Sequence, residues 1–317
     1  MSAPLIETRN LKKYFATPSG MLHAVDDINL TINRGETLGV VGESGCGKST
    51  LGRTILRLLP PTGGQVFYNG ENILDYSAGQ MKAMRSKMQI IFQDPYSSLN
   101  PRMTVSDIIA EPIKVRKTII GKENIAKKVY QLMDVVGLAK RFINTYPHEL
   151  DGGRRQRIGI ARALSVEPEF IVCDEPVSAL DVSIQAQILN LLMDLQRDMN
   201  LTFMFVTHDL SGVKHNSTDI AVMYLGHCVE KASSAQLFEN PMHPYTQALL
   251  SAIPTPNLKN KGVTKKIIKG EVTSPIEPAP GCRFSARCPV STEACTVENL
   301  ELKEVEPRHF VACTRCQ

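Results

Sequence analysis

Apolar and polar positions alternate over residues 5–14, again over residues 28–32, and again over residues 65–68, which run into the turn pair Asn69-Gly70. A period of two predicts strands, and these three predict an antiparallel layer beside a main sheet. Residues 16–22, between the first two, read as irregular. Short unbroken apolar runs occupy Thr37–Val41, residues 170–173, residues 202–206 and Asp219–Tyr224. Such runs predict strands buried on both faces, as in a parallel sheet. Helical spacing lies between them. Residues 50–59 predict a helix. Residues 123–136 set Ile125, Val129, Leu132, Met133 and Val136 on one face, with Gly137 as the stop. Residues 183–200 do the same with Ile184, Ile188, Leu191, Leu192 and Leu195. Strands alternating with helices predict an α/β fold whose sites sit at the carboxyl ends of the strands. The block from about residue 80 to residue 165 is helical in character and predicts a subdomain inserted in that core. After residue 240 the prolines at 241, 244, 254, 256, 275, 278 and 280 mark a linker-like region and a small appended module. The chain thus divides into a core, 1–240, and an extension, 241–317.

Composition adds boundaries to this picture. The 317 residues are 43% apolar and 21% charged, which suits a globular core. A net charge of +4 does not suggest a nucleic-acid partner, and its excess has a plain source in the Lys-rich segment 259–269. No uncharged apolar run reaches the roughly 18 residues that a bilayer span needs. Residues 1–10 hold no apolar signal core, so the expected place is the cytoplasm, with docking on a membrane protein allowed.

The chemistry concentrates where the strands end. Gly42-Glu43-Ser44-Gly45-Cys46-Gly47-Lys48-Ser49 is a G-x-x-x-x-G-K-S phosphate loop between a predicted strand and a predicted helix. Gly42, Gly45 and Gly47 let successive N–H groups turn inward at a polyphosphate. Lys48 brings positive charge to the β- and γ-phosphates, and Ser49 suits Mg²⁺, with Thr50 next on the helix. Asp174 and Glu175 follow the strand at 170–173, and a buried carboxylate there is costly unless it faces solvent, a metal or a partner. His208 follows the strand at 202–206. Tyr14 could stack on a purine ring or simply pack on the sheet.

Taken together these residues resemble the ATP-binding subunits of ABC transporters over nearly the whole chain. The resemblance implies a phosphate-loop ATPase fold with an antiparallel β layer, an inserted helical subdomain and a Cys-rich C-terminal module. It also implies roles. Gln93 resembles the Q-loop glutamine, which contacts Mg²⁺ and the attacking water. Asp174 resembles the carboxylate that holds Mg²⁺ together with Ser49. Glu175 resembles the residue that polarises water, and His208 the one that bonds the γ-phosphate. Asp181, in Ser178-Ala179-Leu180-Asp181, lies in the D-loop. Residues 92–103 and the run His243-Pro244-Tyr245-Thr246-Gln247-Ala248-Leu249-Leu250 are similar to the oligopeptide and dipeptide importers, most of all to the second of their paired ATPases. Nickel-uptake ATPases share much of this architecture. The implied partners are a sister ATPase in a heterodimer, two transmembrane permease subunits and an extracellular peptide-binding protein, with this chain peripheral on the cytoplasmic face of the membrane. A soluble ABC ATPase of DNA repair or translation is the other class. One core and no heptad run count against it.

One departure stands out. The usual Leu-Ser-Gly-Gly-Gln signature, which closes over ATP held by the partner subunit, is here Leu150-Asp151-Gly152-Gly153-Arg154. Aspartate caps a helix as well as serine does. Its charge about 4 Å from a phosphate oxygen would cost on the order of 4 kcal/mol at an effective dielectric near 20. Arg154 is placed to offset part of that by pairing with Asp151 or with the phosphate.

The cysteines are uneven. Five of the eight, Cys282, Cys288, Cys295, Cys313 and Cys316, crowd the C-terminal region. The first four are separated by five, six and seventeen residues, unlike a zinc ribbon. Four thiolates suit zinc or a [4Fe–4S] cluster, or remain free or oxidised. The family resemblance, with the pattern Cys282-Arg283-Phe284 … Arg287-Cys288-Pro289, favours the cluster, with Cys316 as an alternative fourth ligand.

Overall fold

The computed structural model describes residues 3–253, 270, 273–297 and 300–317. They form two compact units, one made of residues up to Asn33, Thr37–Leu74 and Phe205–Gln317, the other of Arg34–Glu36 and Asp75–Met204. The Lys-rich segment 259–269, Pro254 and Pro256 lie outside the described residues.

The first unit opens on a hairpin, β1 (Ile6–Thr17) and β2 (Gly20–Ile32), paired antiparallel from Ile6↔Ile32 to Thr17↔Gly20. The stretch read as irregular is therefore the hairpin tip. The Thr17 hydroxyl donates to the Gly20 carbonyl at 2.7 Å and closes the turn. Its side chains are exposed or half-buried on both faces, so no alternation marks it in the sequence. After β3 (Thr37–Val41) and α1 (Lys48–Ile55), β4 (Gly63–Tyr68) and β5 (Glu71–Asn72) complete an antiparallel sheet of order β2-β1-β4-β5. This is the expected antiparallel layer. Helix α1 is shorter than the pattern predicts. Arg57 takes a left-handed conformation (φ 52), its N–H bonds the Thr54 carbonyl, and the Leu58 N–H bonds the Arg53 carbonyl. That Schellman stop satisfies the last carbonyls and ends the helix before residue 59.

The second unit holds α2 (Ala78–Lys87), β6 (Met88–Ile91), α3 (Val105–Arg116), α4 (Lys122–Val135), α5 (Gly152–Leu164), β7 (Phe170–Asp174) and α6 (Val182–Met199). Strand β6 interrupts the stretch expected to be helical. Four residues are too few to show a period, and β6 exists because Met88 to Ile91 pair in parallel with Phe170 to Cys173. Helices α4 and α6 follow their predicted faces: Val129, Leu132 and Met133 are buried on one, Ile188, Leu192 and Leu195 on the other. The next strand, β8 (Thr202–Thr207), gives its first three residues to this unit and its last three to the first.

The first unit resumes with α7 (Leu210–Val213), β9 (Asp219–Tyr224), β10 (His227–Ser233), α8 (Ser234–Glu239), α9 (Pro244–Ala252), β11 (Lys303–Glu306) and β12 (His309–Val311). Strand order runs β11-β12-β10-β9-β3, with β3 parallel to β9 and β10 antiparallel to both β9 and β12. Val41, Ile220, Val222, Tyr224, Tyr245 and Phe284 share one core, so four separate stretches of the chain close it. Each such side chain contributes about 1.5–3 kcal/mol on burial. Glu230, fully buried on β10, accepts from the Met242 and His243 N–H groups at 2.8 and 3.0 Å and faces His309 Nε2 at 2.7 Å. A carboxylate without such donors would not remain buried.

His243 caps α9 through Nδ1, which accepts the Tyr245 N–H at 3.1 Å. Burial lowers its pKa to about 4, although the Glu230 charge pulls the other way. Between that value and the ordinary 6.5 the unfolded chain holds a proton that the folded chain refuses. Stability from this group is therefore present at pH 7 and is lost as pH falls through that window, by about 2–3 kcal/mol at pH 4.5. Denaturant midpoints at pH 7 and 4.5 check this. His243→Asn, which can still cap, should show a smaller acid loss than the wild type; an equal loss in both proteins counts against it.

Candidate functional site

Strand β3 is buried along its whole length and delivers the chain to Gly42. Close approach fixes the glycines there. A Cβ on Gly42 would lie 2.2 Å from the Met223 carbonyl oxygen, and one on Gly47, at φ 101, would lie 1.9 Å from that of Ala24. Only glycine fits either place. Ser44 and Gly45 are exposed at the loop's crest, Cys46 is buried, and Ser49 and Thr50 are half-buried in the first turn of α1. That turn carries no acidic residue, so the helix's positive end is unopposed. Lys48 is 4% exposed and its ammonium donates to the Gly42 and Glu43 carbonyls, each at 2.8 Å. The loop is thus laced to its own lysine. Burial pushes the Cys46 thiol pKa up, so this thiol stays protonated.

Tyr14, in β1, belongs to the same unit. Its ring stacks on His23 with centroids 3.9 Å apart, and its hydroxyl donates to Asp26. Asp26 also faces His23 Nδ1 at 2.9 Å, His227 Nε2 at 3.4 Å and the Arg283 guanidinium. Burial alone would raise the Asp26 pKa, but the hydrogen bonds from His227, Tyr14 and His23 and the charge of Arg283 hold it well below the usual carboxylate range. One face of Tyr14 is therefore occupied and its orientation fixed. His208 directly follows β8 and is exposed in this unit.

The second unit brings together Gln93, Asp174 and Glu175. Asp174 ends β7 with 1% exposure. Glu175 sits at φ 46, the left-handed region that is uncommon for a side chain of its size. Its Oε2 accepts the Gln93 amide N–H at 2.9 Å. Strain of this kind persists only where the surroundings over-determine it, and it clusters at working sites. Asp181 stands at the N-cap of α6. Asp151 caps α5, its Oδ1 accepting the Arg154 N–H at 2.8 Å, while its other oxygen pairs with the Arg154 guanidinium. Gly152 and Gly153 open that helix against Leu180 and Ile184. A recess of about 260 Å³ adjoins this end, lined among others by Arg141, Arg154, Arg157 and Asp151.

The structure does not support the expected [4Fe–4S] site. All eight cysteines are free, and among the described residues no three of His, Cys, Asp or Glu are placed to hold a metal. Cys282 and Cys316 are thiols whose pKa burial pushes to about 11. The Cys295 sulfur is engaged by the Thr292 and Thr314 hydroxyls at 3.5 and 3.4 Å, and the Cys316 thiol turns to the Met242 carbonyl. Spacing brought these residues to one region, where Cys282 lies within electrostatic reach of Cys288, Cys295 and Cys313, and the Cys316 thiol is hydrogen-bonded with that of Cys313.

Sequence reasoning missed Asp26, Tyr245, Arg283 and Arg287. The last three lie in the segments 243–250 and 282–289, where a pattern was visible without a reason for it. The reason is contact: Arg287 reaches Glu43, inside the phosphate loop, at 2.9 Å.

The ABC transporter family matches residues 25–178, and the family described as oligopeptide/dipeptide transporter, C-terminal region, matches residues 229–295. The chain is 49% identical to the oligopeptide transport ATP-binding protein OppF of Bacillus subtilis (strain 168), over 100% of this chain and 98% of the relative. It is 48% identical to the oligopeptide transport ATP-binding protein AppF of the same organism, over 98% and 96%. Among solved structures it is similar to the ATP-binding cassette MJ0796 in a dimeric post-hydrolysis state bound to ADP and Pi, with a TM-score of 0.66, 28% identity, and coverage of 72% of this chain and 98% of that one.

Proposed function

The chain belongs to the ATP-binding subunits of oligopeptide/dipeptide ABC transporters, and from that premise we propose how its residues share the work of ATP-driven peptide import. It is an ATPase subunit of a peptide importer. The loop Gly42–Ser49 and Thr50 receive the phosphates of ATP, Lys48 supplies the charge, and Tyr14 faces the purine. Glu175 is the general base that takes the proton of the attacking water. Gln93 orients Glu175, and His208 reads the γ-phosphate. The observation that carries this reading is the Gln93 contact to a Glu175 held in a strained backbone conformation beside a buried Asp174.

Magnesium fits the residues present. Within the second unit Gln93 and Asp174 offer an amide oxygen and a carboxylate, and within the first Ser49 offers a hydroxyl, each a hard oxygen donor. When bound, Mg²⁺ supplies charge neutralisation on the β- and γ-phosphates.

The signature residues Asp151, Gly152 and Gly153, with Asp181, serve ATP held by a second ATPase subunit. That subunit is a sister of different sequence, and the two engage a pair of transmembrane permease subunits fed by an extracellular peptide-binding protein. Residues 93–103 form the docking surface. No helix among the described residues is long and apolar enough to cross a membrane, in keeping with a peripheral place on the cytoplasmic face. The domain at 1–240, with the helical insertion at 80–165, does the ATP chemistry, and 241–317 supports it. Purification from native membranes tests the assembly. A complex holding two different ATPases and two permeases, with ATPase activity raised by peptide, is expected; a homodimer of this chain would sink the paired-sister arrangement.

The Asp151 signature should make the two ATP sites unequal. Arg154 and solvent cut the repulsion well below the roughly 4 kcal/mol expected of a bare pair. Asp151→Ser in the assembled transporter is expected to tighten ATP at the site that this signature serves by about tenfold, near 1.4 kcal/mol. Equilibrium ATP binding and turnover of the complex decide it, and unchanged values remove the idea.

A further inference from the structure

The phosphate loop is held from outside. Glu43 is gripped at three points within the first unit. Its carbonyl accepts from Lys48 at 2.8 Å, its N–H donates to the Tyr245 hydroxyl at 3.0 Å, and its carboxylate takes a two-pronged contact from Arg287. In that fork Nη1 reaches Oε2 at 2.9 Å and Nη2 reaches Oε1 at 3.2 Å. Arg287 Nη1 also meets the Tyr224 hydroxyl at 3.2 Å. The Arg287 side chain is 8% exposed and Tyr245 is fully buried, so neither is a loose surface contact. Planar forks of this kind fix direction as well as distance.

The segment that carries Arg287 is itself anchored. Phe284 packs edge-on against Tyr224 at 5.3 Å between centroids and stands at the same distance from Tyr245. Arg283 donates to the Leu225 carbonyl and pairs with Asp26, the same carboxylate that holds Tyr14. The short turn from Arg283 to Arg287 therefore reaches both places where a nucleotide would be gripped: the aromatic residue in β1, through Asp26, and the entry to the phosphate loop, through Glu43. Without such anchoring, a glycine-rich loop would sample many conformations, since glycine loses the most freedom on ordering.

We propose that Arg287 is a positioning residue for ATP binding, its fork on Glu43 holding the phosphate loop in the conformation that receives the polyphosphate. This rests on the reading of Gly42–Ser49 as the ATP site. If release of the fork drops the receptive conformation to about a tenth of the population, the apparent Kd rises about tenfold. The C-terminal segment then acts on nucleotide affinity without touching the nucleotide.

The test is equilibrium titration of the purified full chain with Mg²⁺-ATP. Arg287→Ala and Glu43→Ala are each expected to weaken binding about tenfold, and the double variant to be no weaker than either single one. Arg287→Lys, a cation without the fork, should recover part of the loss. Thermal denaturation without nucleotide runs alongside; a variant that melts earlier yet binds ATP as the wild type does would assign Arg287 a structural role only and overturn the proposal. Wild-type affinity in Glu43→Ala, or additive losses in the double variant, would overturn it too. Glu43→Ala breaks the grip from the half-exposed side and keeps the test open should Arg287→Ala fail to fold. A wild-type chain that does not bind ATP, or a Lys48→Ala variant that binds as well as the wild type, would refute the ATP site itself, a different outcome.

Discussion

A Glu175→Gln variant is expected to bind ATP as the wild type does and to hydrolyse it about a hundredfold to ten-thousandfold more slowly. The substitution keeps the side chain's size and leaves its oxygen able to accept from Gln93, which now bonds Glu175 Oε2 at 2.9 Å. It removes the one property a general base needs, a carboxylate that can take a proton. The backbone at φ 46 is unaffected by the exchange, so the fold should not register it. Phosphate release by the assembled transporter measures the rate, and retained nucleotide on the inactive complex measures binding. A rate within about threefold of the wild type would show that Glu175 is not the base.

Lys48→Ala should have its effect at the other end of the reaction, on binding. Lys48 is 4% exposed, and its ammonium bonds the Gly42 and Glu43 carbonyls and the Cys46 sulfur, all of its own loop. Losing it removes a charge-assisted bond to phosphate, about 1.5–3 kcal/mol by itself, and leaves the Gly42 and Glu43 carbonyls without their donor. Together these predict a loss of about 3 kcal/mol, roughly a hundredfold in Kd. Titration with Mg²⁺-ATP checks it, and a Kd within threefold of the wild type would refute the role. The two variants separate cleanly. One keeps ATP and loses turnover, and the other loses ATP.

The buried strands were legible because β3, β7 and β9 are apolar runs, with polar residues only at one end of each, whose burial is written in their composition. The faces of α4 and α6 were legible for a similar reason, since a helix repeats its contact with the core every turn. β6 was not, because four residues show no period and only the pairing with β7 makes it a strand. The end of α1 was not, because its stop is a left-handed arginine and not a glycine. The cysteine-rich region shows a different limit. Thiols crowd there in the sequence, yet a metal needs their side chains turned to one point, and that depends on χ angles and neighbours such as Thr292 and Thr314.

What the sequence determined by itself was the chemistry of each strand end: a glycine loop with its lysine, a carboxylate pair, a histidine. These are local features, fixed by residues adjacent in the chain and by the backbone freedom they permit. Which distant groups hold those features in place was decided only by the tertiary structure. Glu43 and Arg287 are 244 residues apart, and no periodicity or spacing links them. They meet because Phe284 must bury its ring against Tyr224 and Tyr245, and burying it carries Arg287 to the phosphate loop.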